Sequence, residues 1–227
     1  MTRNRTGALA LAAAGVLFVL YPAVRPWHDE STVSGATASM SSQAWVAAHF
    51  FAMLGFILLP LGLLAVRDAL AGTQSASLAR TAAVVTWIGA GLTLPYYGAE
   101  DFGLHAIAAN HAGHLLDLIN AVRYQPLAIT IFGVGLVMLG TGALLAAVAI
   151  WRSRVLPRYS GIVFAAGFAL FLPQFYLPPA ARIAHGVLTG IGLAVLAANL
   201  WRATASAAAK ATTATTSTTA AEATTVA

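Results

Sequence analysis

The stretch "YQPLAITIFGVGLVMLGTGALLAAVAIW" (Tyr124–Trp151) contains no Asp, Glu, Lys or Arg. A helix needs about 20 mostly apolar residues to cross the hydrocarbon core of a bilayer, and this run is long enough. Five other runs lack the same four residue types: Thr6–Val24, Ser31–Val66, Thr81–Ala99, Tyr159–Ala181 and Ile183–Trp201. The sequence therefore predicts an all-α integral membrane protein, a bundle of six transmembrane helices.

The composition agrees with a membrane protein, since 59% of residues are hydrophobic and 8% are charged. Soluble domains have about 25% charged residues. The predicted helices cover about residues 7–24, 44–66, 81–99, 126–151, 160–178 and 183–201, in one polytopic domain of residues 1–202. Residues 203–227, rich in Ala and Thr, have little to bury and are predicted to be a disordered cytoplasmic tail.

The basic residues predict the orientation, because cytoplasmic loops carry an excess of Lys and Arg. An N-in, C-in arrangement places nine basic residues inside: Arg3, Arg5, Arg67, Arg80, Arg152, Arg154, Arg158, Arg202 and Lys210. Only Arg25, Arg123 and Arg182 then lie outside. We expect a multi-pass protein of the plasma membrane with both termini cytoplasmic, and a first helix that is retained rather than cleaved.

Two segments show weak internal similarity. "RTAAVVTWIGAGLTLP" (Arg80–Pro95) and "RYSGIVFAAGFALFLP" (Arg158–Pro173) align without gaps, which is typical of a helical hairpin used more than once. The prolines that close these segments predict bends in the third and fifth helices. Gly186 and Gly190 form a small-xxx-small motif that predicts close approach of the last helix to a neighbour.

The ionisable residues are distributed unevenly. Under the predicted topology all six histidines and five of the seven acidic residues lie on the outer side: His28, His49, His105, His111, His114, His185, Asp29, Glu30, Glu100, Asp101 and Asp117. Within the predicted membrane segments the inner half has no ionisable residue, which argues against a transporter.

The densest polar group follows the third predicted helix. If that helix continues, Tyr97, Asp101 and His105 share one stripe, and Tyr96 and Glu100 form the adjacent stripe. A carboxylate beside an imidazole and a phenol, at the edge of a region of low dielectric constant, is suited to acid–base catalysis. The predicted catalytic residues are Glu100, Asp101, His105 and Tyr97.

The alternative for these acids is structural. Glu100 and Asp101 could instead pair with Arg123 or Arg182 and close the outer end of the bundle. Gln174 and Arg182 flank a proline-rich turn that faces the same side, where Arg182 could bind an anionic group. The predicted substrate-binding residues are Tyr96, Gln174, Arg123 and Arg182.

His49 and His185 lie about one turn inside the membrane on two different predicted helices. Ionisable residues at such depth usually face a partner or a cavity, so this pair could hold haem or ligate a divalent metal. The alternative is two neutral histidines, each hydrogen-bonded to a neighbouring helix. His111, His114 and Asp117 could likewise bind Zn²⁺ or Cu²⁺, or belong to an amphipathic surface helix with its leucines toward lipid.

Three functions fit these patterns. The first is an enzyme or binding protein for a lipid-soluble molecule in an outward-facing cavity, the second a haem- or metal-binding redox protein, and the third a structural or accessory subunit. The expected partners are membrane lipid and a small lipophilic substrate. The sequence has no Walker or Rossmann glycine motif and no basic stripe on a soluble segment, so neither a nucleotide nor a nucleic acid is predicted.

Overall fold

A computed structural model describes residues 3–110 and 114–225, with side chains in these ranges as far as Ser206. Nine α-helices are described, with a π-helical segment at Ala99–Gly103 and a 3₁₀ turn at Pro173–Tyr176. The helices are α1 (Arg3–Val24), α2 (Val33–Met40), α3 (Gln43–Ala69), α4 (Ala76–Gly98), α5 (Leu104–Asn110), α6 (Leu115–Arg123), α7 (Pro126–Ser153), α8 (Arg158–Ala169) and α9 (Pro179–Thr225). The described ranges contain no strand, which confirms the all-α prediction.

Five of the described helical stretches are long and apolar enough to cross a membrane. They are Arg3–Val24, Gln43–Ala69, Ala76–Asn110, Pro126–Ser153 and Pro179–Ser206. The predicted helix at 160–178 differs, because α8 ends at Ala169 and a turn separates it from the 3₁₀ segment. Pro173 favours this break, because a proline ring clashes with the carbonyl four residues earlier, which here is that of Ala169.

The long helices close into a ring that follows the chain order. α1 packs against α3 and α9, α4 packs against α3 and α7, and α8 packs against α7 and α9. Four phenylalanines fill the middle of the ring, since the centroid of the Phe18 ring lies 5.0 Å from that of Phe56, 5.5 Å from Phe168 and 5.7 Å from Phe171. These edge-to-face contacts are favourable arrangements of aromatic rings.

Glycines bring the helix backbones into direct contact. A Cβ added to Gly89 of α4 would lie 2.8 Å from the carbonyl oxygen of Gly135 in α7. A Cβ on Gly186 would lie 2.8 Å from the carbonyl oxygen of Phe18, and one on Gly190 would lie 3.0 Å from that of Gly15. The predicted close approach of the Gly186–Gly190 motif to a neighbour is confirmed, and the neighbour is α1.

A small second core closes one end of the ring, and we call this end the cap end. It is formed by α2, α5 and α6 with the first turn of α3: Ala36, Met40, Trp45, Leu104, Ala108, Leu115 and Ile119. The interpretation of this segment as a surface helix placed its leucines toward lipid, and for Leu115 this is wrong, because Leu115 is buried in the cap together with Ile119. α2 was not predicted at all.

The last helix continues to Thr225, well past the predicted membrane boundary. The disordered tail, the single domain of residues 1–202 and the repeated hairpin remain predictions. The two aligned segments differ in structure, since α4 runs through Pro95 whereas α8 ends before Pro173.

Candidate functional site

A cavity of about 480 Å³ lies at the cap end of the ring. Residues from α1, α3, α4, α7, α9 and the turn after α8 line it, together with the π-helical segment and the links around the cap. Six of the ten predicted site residues contribute to its lining: His49, Tyr96, Tyr97, Glu100, Arg123 and Arg182. The tertiary structure thus brings together residues that are separated by up to 133 positions in the chain.

Local sequence features position these residues. Ser42 caps α3 by accepting a hydrogen bond from the backbone N–H of Trp45, which places Trp45 and His49 in the first turns of that helix. Gln125 caps α7 by accepting from the N–H of Ala128, and Pro126 occupies the first helical position. The first turns of α7 consequently form a wall of the cavity.

A chain of four alternating charges crosses the cavity. Arg25 donates to Glu30 at 2.5 Å, and Arg123 donates to the other oxygen of Glu30 at 2.8 Å. Arg123 also donates two hydrogen bonds to the carboxylate of Glu100, from Nε to Oε1 at 2.7 Å and from Nη2 to Oε2 at 2.8 Å. Arg123, rather than Arg182, is therefore the partner of Glu100.

Aromatic rings shield this chain of charges from solvent. The guanidinium carbon of Arg25 lies 4.4 Å from the ring centroid of Trp27 and 4.7 Å from that of Trp45, and Trp45 donates its indole N–H to the carbonyl oxygen of Glu100 at 2.8 Å. Burial disfavours the charged form of Arg123, but the hydrogen bonds and negative charges of Glu100 and Glu30 outweigh it and raise the pKa of Arg123 above its ordinary value.

Arg182 has a different environment from the other two arginines. Its Nε donates to Oε1 of Gln174 at 3.1 Å, and its guanidinium carbon lies 4.8 Å from the Trp27 ring and 5.1 Å from the Phe175 ring. Among the described residues, no carboxylate oxygen lies within 4.0 Å of it. It is held in place by neutral groups.

Two polar side chains lie on the deeper wall. Tyr97 is 2% exposed, and its hydroxyl has no hydrogen-bond partner in the described part of the chain, although the ring centroid of Tyr21 is 5.7 Å away. His49 contacts the carbonyl oxygen of Trp45 through Nδ1 at 2.8 Å, so Nδ1 donates and Nε2 of the neutral ring is an acceptor. Tyr96 differs, since its hydroxyl donates to the carbonyl oxygen of Arg123.

Four predicted site residues do not line this cavity. Asp101 is fully buried, and neither carboxylate oxygen has a hydrogen-bond partner among the described residues. Nδ1 of His105 lies 2.8 Å from the carbonyl oxygen of Met40, and since a carbonyl oxygen only accepts, Nδ1 donates this hydrogen bond. The predicted stripe is broken because the π-helical segment holds more residues per turn than an α-helix.

His185 and Gln174 line a second, much smaller cavity of about 10 Å³. His185 donates from Nε2 to the carbonyl oxygen of Gly167 at 2.7 Å, as expected for a neutral histidine bound to a neighbouring helix. His49 and His185 thus open onto different spaces, an arrangement that gives no support to a haem held between the two imidazoles.

No group of three or more His, Asp or Glu side chains suited to a metal ion occurs within residues 3–110 and 114–206. His111 lies outside the described residues. His114 and Asp117 are both exposed, with Nδ1 and Oδ2 4.0 Å apart. Among the described residues that line the large cavity, His49 could offer Nε2 as a ligand atom to a metal ion.

Several residues of the site were missed by sequence reasoning. Arg25 and Glu30 complete the chain of charges, and Phe132, Gly133 and Phe175 form the apolar wall. A signal for Arg25 did exist, because only three basic residues lie on the predicted outer side and all three line the cavity. The aromatic residues gave no signal, since aromatic residues recur throughout the apolar runs.

No family model, curated protein or solved structure matches this chain. The chemistry of the cavity is therefore the basis for a functional assignment. Glu100 is poorly placed to transfer protons, because both of its oxygens accept hydrogen bonds from Arg123. The cavity combines an apolar wall with a chain of charged side chains, which suits binding of an amphipathic molecule.

Proposed function

We propose that this protein binds a small lipophilic molecule in the cavity at the cap end of its helical ring. The cavity volume of about 480 Å³ carries the proposal. It falls within the roughly 300–1,000 Å³ of known small-molecule pockets, which are mostly apolar with a few placed polar groups. Phe132, Leu172 and Phe175 supply the apolar wall, and the arginines and glutamates supply the polar groups.

The membrane arrangement that we propose has six crossings, with the cap end outside the plasma membrane and both termini in the cytoplasm. Arg5 lies 5.0 Å from the ring of Trp201, so α1 begins and the apolar part of α9 ends at the same end of the ring. α8 begins near that same end of the ring. The segment after α8 continues to the cap end, where Gln174 accepts a hydrogen bond from Arg182. The nine basic residues of the predicted cytoplasmic side support the orientation.

Binding is better supported than acid–base catalysis. Among the predicted catalytic residues, Tyr97 lines the cavity but its hydroxyl is buried, and Glu100 is held by Arg123. Asp101 and His105 lie elsewhere. A purely structural role would require neither an apolar wall nor a cavity of this volume.

Gly133 offers a direct test, because a Cβ there meets no atom within 4 Å although the residue lines the cavity. We expect Gly133→Leu to fill part of the cavity without disturbing the fold. Wild-type protein purified in mild detergent should yield a specific organic-soluble molecule on extraction and mass spectrometry, and Gly133→Leu should lose most of it.

The matched control is Gly91→Leu. Gly91 also has open space around a Cβ, but it is exposed on the outer surface of α4 and does not line the cavity. This variant should retain the molecule. Identical extracts from the wild type and both variants would argue against a ligand in this cavity.

A further inference from the structure

We infer that the ligand carries an anionic head group, a carboxylate or a phosphate, and that Arg182 is its counter-ion. This inference rests on the proposed binding function and adds the chemical class of the ligand. It depends on the charge balance of the cavity, on the position of Arg182 and on the cost of leaving that charge without a partner.

The charge balance leaves one positive charge. Three arginines and two glutamates line the cavity, and Arg25 and Arg123 are already paired with Glu30 and Glu100. Glu30 accepts from both of these arginines, and Glu100 accepts two hydrogen bonds from Arg123. Neither carboxylate lies within 4.0 Å of Arg182, so an anion supplied by a ligand would neutralise the site.

The geometry of Arg182 suits recognition of an oxygen acid. Gln174 accepts a hydrogen bond only from the Nε–H of Arg182, and the rings of Trp27 and Phe175 lie against its guanidinium. The two terminal nitrogens make no hydrogen bond to any described residue. A guanidinium fork of this kind binds carboxylate and phosphate through two parallel hydrogen bonds.

The location of the Arg182 charge makes it costly without a partner. Arg182 is partly buried at the start of α9, and a charge removed from water is costly unless it is paired. Basic residues are also disfavoured on the outer side of a membrane protein. Of the three on the predicted outer side, two stabilise the cap through ion pairs, and the third is positioned for an ion pair that no described residue provides.

The apolar part of the ligand has a defined place. Phe175 contacts the Arg182 guanidinium and lies 5.6 Å from the ring of Phe132, and Phe132 adjoins Gly133 on α7. An alkyl or ring system bound to this wall would keep its head group at Arg182.

The experiment compares three probes of equal chain length on wild-type protein in phosphatidylcholine nanodiscs: radiolabelled dodecanoate, dodecyl phosphate and uncharged dodecanol. At least one anionic probe should bind more tightly than dodecanol by about tenfold, as expected for a charge-assisted pair. Whether the carboxylate or the phosphate binds better tells a fatty-acid-like ligand from a phospholipid head group.

Arg182→Gln should abolish the preference for the anion, so that neither anionic probe binds more tightly than dodecanol. The matched control is Arg158→Gln, because Arg158 also lies against a tryptophan, 4.6 Å from the Trp151 ring, but at the opposite end of the bundle. This control should keep the preference. If Arg182→Gln does not fold, the ratio of anion to alcohol binding in the wild type still decides the question.

Dodecanol bound as tightly as both anions, or an anion preference that survives Arg182→Gln, would overturn the inference. If dodecanol binding is then still lost in Gly133→Leu, the proposed function stands with an uncharged ligand. No binding of any probe in the wild type would contradict both proposals.

Discussion

Arg123 connects two carboxylates that belong to distant segments, Glu30 in the link before α2 and Glu100 in the π-helical segment. Removing one member of such a group leaves a poorly hydrated charge without its partner. Asp101 is the opposite case, because it follows Glu100 directly but has no described partner at either oxygen. The two adjacent acids therefore have different structural environments despite their identical chemistry.

Glu100→Gln should lower the free energy of unfolding by about 2 kcal/mol, because it removes charge-assisted hydrogen bonds to Arg123. Asp101→Asn, the matched control, should leave stability unchanged or raise it, because it removes a buried charge and breaks no described hydrogen bond. Unfolding of the detergent-solubilised protein by titrated SDS measures both. Equal losses of stability would show that the Asp101 carboxylate is paired.

Packing between elements depends on glycines whose surroundings differ sharply within one helix. At Gly89 an added Cβ would meet the backbone of α7 at 2.8 Å and 2.9 Å, so the two helices would have to separate. At Gly91, two residues later, an added Cβ meets nothing within 4 Å. Helix–helix association in membranes depends on such close packing of small residues.

Gly89→Ala should destabilise the protein by about 1–3 kcal/mol, the usual cost of overpacking. Gly91→Ala should be neutral or stabilising, because alanine favours the helix by about 1 kcal/mol relative to glycine where nothing obstructs it. SDS-titrated unfolding of the two variants compares the same substitution on the same helix. Equal stability of the two would contradict the described contact between α4 and α7.

At the scale of the whole molecule, the ring of helices places the links alternately at its two ends. The cap and the cavity lie at one end, and the tight link between α3 and α4 lies at the other. The proposed topology assigns these ends to opposite sides of the membrane. Since the chain has no cysteine, single cysteines can be introduced and labelled without a background.

Ser34→Cys in α2 and Gln74→Cys in the α3–α4 link provide the test, because both side chains are exposed. A membrane-impermeant maleimide should label Ser34→Cys in intact cells and Gln74→Cys only after permeabilisation. The reverse pattern would invert the topology, and labelling of both from outside would contradict the arrangement of the ring in the membrane.

Much of the candidate site was predictable because polar residues are rare in this chain. Glu100, Arg123 and Arg182 stand out among long apolar runs, and the antiparallel alternation of helices predicts that they share one end. Their pairing was not predictable, because Glu100 had two candidate arginines at the same end. The π-helical segment could not be read from the sequence either, and it separates Asp101 from the cavity.

The composition and the apolar runs were enough to predict that the chain is helical and apolar enough for a membrane, and that the histidines and most of the acidic residues share one end of the bundle. These properties follow from composition and hydrophobic run length, which act locally along the chain. Three features became visible in the folded molecule alone: the helices close into a ring, Glu100 pairs with Arg123, and Arg182 faces a cavity without a described counter-ion. These three features depend on contacts between residues that are distant in the chain. The close approach of helix backbones at glycines, the π-helical segment and the end of α8 before a proline decide which side chains meet.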